Sequence, residues 1–210
     1  MLILGREHAV ESVMFRIMNL KELDLLDQEI QQIQDPTERE ARSELIERIM
    51  EAVTDYDVHV RNYAYRKMVE QIVARGVRLE PVDRQAVVRE WDDRFDRLVT
   101  QAQKNAALHY TDQFRWHLFS FKLLPAISGD AARAEFDAEK IQDLYLFFDY
   151  SDSAYLVRNA HLLTAEDVDT LRSCSPLELS DMYFFDPLNH WTYVKPHEEY
   201  CGPYYFKSDR

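Results

Sequence analysis

Glycine is scarce, with four residues in 210. That scarcity excludes the glycine-rich phosphate loops of the familiar nucleotide sites, and no such loop pattern occurs. Cysteine is scarcer still: only Cys174 and Cys201 are present. A disulfide framework is therefore not indicated, and a reducing, cytoplasmic setting is the simpler expectation. The chain lacks both a CxxC pair and HExxH, spacings that announce zinc. It lacks an apolar run of about eighteen residues, and its start, MLILGREHAVE, meets charge too early for a signal peptide. No membrane span and no cofactor are expected. Basic residues are in deficit as well, 25 Lys and Arg against 38 Asp and Glu, for a net charge of -13. Neutralising a phosphate backbone needs clustered cations, so direct nucleic-acid binding is not expected. The acidic excess is shared along the chain: 16 against 11 in residues 1–80, 13 against 10 in 81–160, and 9 against 4 in 161–210. A diffusely negative surface favours solubility and a basic protein partner.

What the chain has is apolar and aromatic mass, 46% hydrophobic and 12% aromatic, enough to offset the entropy of ordering it. The first 75 residues hold one glycine, Gly5, and one proline, Pro36, and so read as helix nearly throughout. Val10, Val13, Met14 and Ile17 fall at helical spacing, as do Leu23, Leu26, Ile30 and Ile33. Asp35 suits an N-cap, Pro36 the first helical position, and Glu38 the third residue of a capping box. Leu45, Ile46, Ile49 and Val53 then make one apolar stripe. A second start signal at Thr54–Asp55 and a C-cap at Gly76 predict a helical hairpin over this stretch. Its D-x-x-VR-x-x-A spacing is similar to one helix of a HEAT repeat, but a solenoid needs several neighbours to bury a core.

Beyond Gly76 the pattern changes. GVRLEPV predicts a short strand, and residues 83–105 an amphipathic helix with Val87, Trp91, Phe95, Leu98 and Val99 on one side. FRWHLFSFKLL is apolar enough to be buried in any conformation. GDAARAEFDAEK and TAEDVDTL read as capped helices, LYLFFDY as a strand, and AYLVRNAHLL as strand or helix. DMYFFD, HWTYV and YYF are short β-runs separated by turn residues. Helices first, then strands with interspersed helices, predict an α+β fold: a helical segment over 1–75, then an antiparallel or mixed sheet packed with helices over 76–210.

Three stretches, WHLFSF at 116–121, NAHLLTAEDV at 159–168 and WTYVKPHEEYCGPYYF at 191–206, occur in that order. From about residue 76 to 208 the chain resembles a bacterial family known as domain of unknown function 4275. The resemblance implies a bacterial or phage-borne protein, with no assigned chemistry and no catalytic residue. The helical segment before residue 76 lies outside it.

The closing HWTYVKPHEEYCGPYYF gathers histidines, glutamates and a cysteine. If it begins as a strand, alternation places Trp191, Tyr193, Lys195 and His197 on one face and His190, Thr192, Val194 and Pro196 on the other. Gly202 and Pro203 allow a turn that returns YYF alongside. His197, Glu198 and Cys201 then meet at that turn as the candidates for thiol or metal chemistry. As a metal set they are short of ligands. The structural alternative has His197 and Glu198 bonding the turn backbone and Cys201 acting as a small hydrophobe. His117, inside an apolar run, reads as a core histidine. No nucleophile elbow surrounds Ser120.

Aromatic residues interleaved with carboxylates suggest a recognition surface. Asp149, Tyr150, Asp152 and Tyr155 are its first candidates, with Trp191 and Tyr193 as further anchors. The composition thus favours a non-enzymatic protein-binding module, such as an immunity or inhibitor protein covering a basic partner. A thiol or metal enzyme built on the 197–201 turn and a scaffold self-associating through residues 1–75 are the alternatives.

Overall fold

The computed structural model describes residues 20–107, 114–149, 151–173, 181–198 and 200–208, apart from the side chains of 20–24 and Asp57. The expected helix over 7–18, Tyr150 and Cys174 lie outside the described residues. The chain divides into two compact units, Met1–Arg61 and Asn62–Arg210.

Helix α1 spans Leu20–Gln31 and helix α2 Pro36–Ala74. The turn between them is the one the sequence predicts: Thr37 N–H donates to the Asp35 carboxylate at 2.9 Å. Glu38 forms an ion pair with Arg42 instead of closing a capping box. The hairpin expected at Thr54–Asp55 is absent, and α2 runs through it without a break. No glycine or proline interrupts the helix between Pro36 and Gly76, and capping residues alone do not stop it.

The second unit is α+β. Its strands are β1 (Arg78–Pro81), β2 (Ile127–Ser128), β3 (Asp143–Phe148), β4 (Ala154–Arg158), β5 (Met182–Asp186), β6 (Trp191–Lys195) and β7 (Tyr204–Lys207). They form one seven-stranded sheet in the order β1-β4-β3-β5-β6-β7-β2. Every pairing is antiparallel. The β6–β7 ladder, Trp191 opposite Lys207 through Val194 opposite Tyr204, is the predicted return of YYF.

Helices α3 (Arg84–Arg94), α4 (Gln101–Ala106), α5 (His117–Ser120), α6 (Asp130–Ala138) and α7 (Ala165–Ser173) complete the unit. The single helix expected over 83–105 is broken. A short 3-10 turn occupies Asp96–Leu98, and Thr100 caps α4 with a full capping box to Gln103. The threonine offers the backbone a stronger local partner than continued helix does.

Both faces of the sheet are covered, because successive side chains point to opposite sides. On one face Leu144, Leu146, Val157, Phe184, Trp191 and Tyr193 pack with Ile72 of α2, Phe136 of α6 and Val168 of α7. On the other Phe147, Tyr183, Phe185, Val194 and Phe206 pack with Trp91 of α3 and with Trp116, Leu118 and Phe119. Two-sided burial explains why DLYLFF and MYFFD read as continuous apolar runs. Trp91 is anchored across the layers: its Nε1–H donates to Thr192 Oγ1 at 2.9 Å, and that hydroxyl donates to the Phe184 carbonyl at 3.0 Å.

Candidate functional site

A buried polar cluster of the second unit centres on Asp149, which directly follows β3. Its side chain is 6% exposed, and both oxygens are engaged. Oδ1 accepts from Arg115 Nη1 at 2.9 Å, and Oδ2 from the Tyr183 hydroxyl at 2.8 Å. Arg115 also donates to both oxygens of Asp92, at 2.8 and 3.3 Å, and its guanidinium lies 5.9 Å from the Phe147 ring centre. The Tyr183 hydroxyl accepts from the Trp116 backbone N–H at 3.2 Å. Burial acts to lower the pKa of Arg115, but its bond to Asp92 and the charges of Asp149 and Asp92 outweigh that and raise it. Burial, reinforced by Asp149, pushes Tyr183 well above an ordinary phenol. The network closes on itself: every charge has its partner inside.

Asp149 is therefore a core clamp and does not offer its carboxylate to a partner. Trp191 and Tyr193 are likewise wholly buried, because alternation in a sheet covered on both faces leaves neither ring a solvent side. Of the other sequence-predicted contacts, Asp152 is exposed and Tyr155 is half-buried in β4.

The 197–201 turn has a different arrangement from the one alternation predicts. Trp191, Tyr193 and Lys195 do share a face, Lys195 reaching Asp169 of α7 at 3.0 Å. His197 leaves it: its ring packs 5.0 Å from Phe114 and 6.4 Å from Trp116, whose ring belongs to the opposite core. β6 ends at Lys195, so the period of two stops applying before His197 is reached. At the other end of β6, His190 adopts a left-handed backbone, φ 54°, and its Nδ1 lies 3.2 Å from Arg94 of α3.

Asp181, fully buried just before β5, holds His197 in place. Its Oδ1 accepts from the His197 backbone N–H at 2.6 Å and lies 2.8 Å from Nδ1. Burial raises the Asp181 carboxyl to about 6, against the opposing pull of the His197 bonds, with Asp149 adding to the rise. Oδ2 of the same carboxyl is buried with no hydrogen-bond partner among the described residues. His117 of α5 stands close by. Its ring stacks on Phe121 at 4.7 Å, its Nδ1 lies 3.1 Å from Ser120 Oγ, and burial lowers its pKa, with Glu198 opposing and His197 assisting.

Cys201 does not pair with His197. Its thiol donates to Glu198 Oε2 at 3.2 Å, and burial together with that carboxylate pushes it up to about 11. A thiol held protonated at neutral pH is a poor nucleophile. Among the described residues no three His, Cys, Asp or Glu side chains are grouped to hold a metal. Gly202 fixes the turn at φ 69°, where an added Cβ would come within 2.8 Å of Pro196 Cδ.

The segments WHLFSF and HEEYCGPYYF, eighty residues apart in sequence, thus meet around Trp116, His117, His197 and Tyr204, with Trp116 and Tyr204 stacked at 6.3 Å. A model of the family Domain of unknown function (DUF4275) matches residues 66–205, two-thirds of the chain. The chain belongs to the DUF4275 family. No curated protein and no solved structure matches it. The DUF4275 match begins inside α2, so the first part of that helix lies outside it.

That first part of α2 carries exposed apolar side chains. From Pro36 to Arg61 no described side chain is buried. Leu45, Tyr56, Val58 and Val60 are exposed at 53, 50, 42 and 44%. Leu45, Ile49, Val53, Tyr56 and Val60 succeed one another at steps of four and three, which confines them to an arc of roughly 80°. The signal was legible in the Leu45–Val53 spacing, but a hairpin expected at Thr54 hid its continuation to Tyr56 and Val60. Among the described residues no helix is long and apolar enough to cross a membrane.

Proposed function

We propose that this DUF4275 protein is a protein-binding module that presents the Pro36–Arg61 stretch of α2 to a basic partner. The observation that carries the reading is the apolar stripe itself, half-exposed along a helix that buries none of its described side chains there. Contiguous exposed apolar surface marks an interaction site, and a helix with anchors at i, i+4 and i+7 is a common form of one.

Charge selects the partner. Seven acidic residues against four arginines give the stretch a net charge of -3, within a chain at -13. Glu40, Glu44, Glu47, Glu51 and Asp55 fall on the side of the helix away from the stripe, so they steer encounter and leave desolvated contact to Leu45, Tyr56 and Val60. A second copy would set this negative stretch against itself, which disfavours the scaffold alternative. An immunity or inhibitor protein that occludes a basic partner in the cytoplasm is the form of the reading that fits this charge.

The test is capture of interacting proteins by cross-linking in lysate of the source cell. The full chain is compared with a variant carrying Leu45→Glu, Tyr56→Glu and Val60→Glu. The expected result is one basic protein cross-linked to α2 by the wild type and reduced at least tenfold with the variant. Equal capture by both, or cross-links confined to residues beyond Gly76, sinks the reading.

A further inference from the structure

The face of the sheet that carries Trp191 is incompletely filled. A largely enclosed apolar cavity of about 130 Å³ lies within the second unit, walled by Ile72 of α2, Val157 of β4, Leu163 and Met182 of β5. Tyr65, Val69, Leu79 and Tyr155, all half-buried, complete its lining. Tyr155, which its sequence setting marks as a contact residue, is thus part of the cavity wall.

The opposite face of the same sheet is filled ring against ring, Phe147 and Tyr183 stacking at 4.6 Å and Trp91 meeting Tyr183 edge-on at 5.4 Å. Protein interiors are packed to crystal density, with few voids larger than a water molecule, because lining atoms without a neighbour forgo dispersion contacts. Water is a poor filler in a cavity with these walls, since it needs two to four polar partners. Apolar cavities of roughly this size, about 150 Å³, stay dry and take up benzene or xenon.

We propose that this cavity is a binding site for a small apolar molecule, an aromatic ring or short branched aliphatic group of about six heavy atoms. The site is independent of the stripe on α2 and does not rest on the protein-binding reading.

Benzene is the probe. Titrated into the full chain with carbon-13-labelled methyl groups, it should shift Ile72, Val157, Leu163 and Met182 saturably and raise the melting temperature. Val157→Phe places a ring in the cavity and should weaken benzene binding at least tenfold while circular dichroism stays native. Leu163→Phe fills the same space from another wall and serves if the first variant does not fold. The proposal fails if wild-type methyls show no saturable shift up to the solubility limit of benzene. It fails equally if a filled, folded variant binds benzene as the wild type does.

Discussion

β5 and the first part of α2 are both rich in apolar side chains, and they use them in opposite ways. MYFFD is buried at all five positions, whereas from Pro36 to Arg61 no described side chain is buried. In β5 the strand period sends alternate rings into two separate cores, so even a continuous apolar run finds shelter. In α2 the helical period gathers the apolar residues on one side, and nothing described covers that side. The lesson is that hydrophobicity alone does not place a residue inside; the layers its element meets do.

The largest expected effect tests that contrast. Trp191→Ala removes a fully buried indole and should cost about 3–5 kcal/mol in denaturant unfolding. Tyr56→Ala, in the exposed stripe, should stay within about 0.5 kcal/mol. A loss at Tyr56 comparable to that at Trp191 would mean that the stripe is covered, and would break the comparison.

Next in size is the clamp at Asp149. Replacing it with alanine leaves the Tyr183 hydroxyl and one arm of Arg115 without their acceptors in a buried setting, and should cost about 3 kcal/mol. Asp149→Asn keeps an acceptor for one of them and should cost less. Equal losses would show that the charge, and not the unmet hydrogen bonds, dominates.

These two cases also show how much the sequence allows one to read. The α+β class, the strands over DLYLFF, MYFFD and WTYVK and the return of YYF follow from period, β-propensity and turn residues, all local signals. The clamp does not. Asp92, Arg115, Asp149 and Tyr183 come from four separate stretches of the chain, and no spacing rule links residues that meet only through tertiary packing. Asp149 drew attention for its charge among aromatics, the composition of a contact surface, yet the same composition describes a carboxylate held inside by an arginine and a tyrosine. His197 eluded the alternation rule because β6 stops before it. The stripe on α2 is legible only to Val53, because the capping pair Thr54–Asp55 predicts an end where the helix continues.

A smaller effect is a pH dependence on the sheet side. Burial moves Asp181 from 3.8 to about 6. Between those values the folded chain keeps a proton that the unfolded chain has released, so the contribution is full below about 4 and is lost as pH rises through 6. The stability difference between wild type and Asp181→Asn, followed by thermal melting, should therefore shift against the wild type from pH 4 to 6.5 and level off above. A difference flat with pH would place the Asp181 carboxyl in contact with water.

The smallest effect lies at Cys201, in a turn between those extremes of exposure. Its thiol is raised to about 11 by burial first and by Glu198 second, so alkylation by iodoacetamide at pH 7.5 should be far slower than for a free thiol near 8.5. Glu198→Gln removes the lesser cause and keeps a hydrogen-bond acceptor, so it should speed alkylation by less than tenfold. A larger gain would make the carboxylate, not burial, the guard of the thiol. It would also place Cys201 with the solvent-facing residues of the molecule, and one substitution away from the nucleophile that its position beside His197 first suggested.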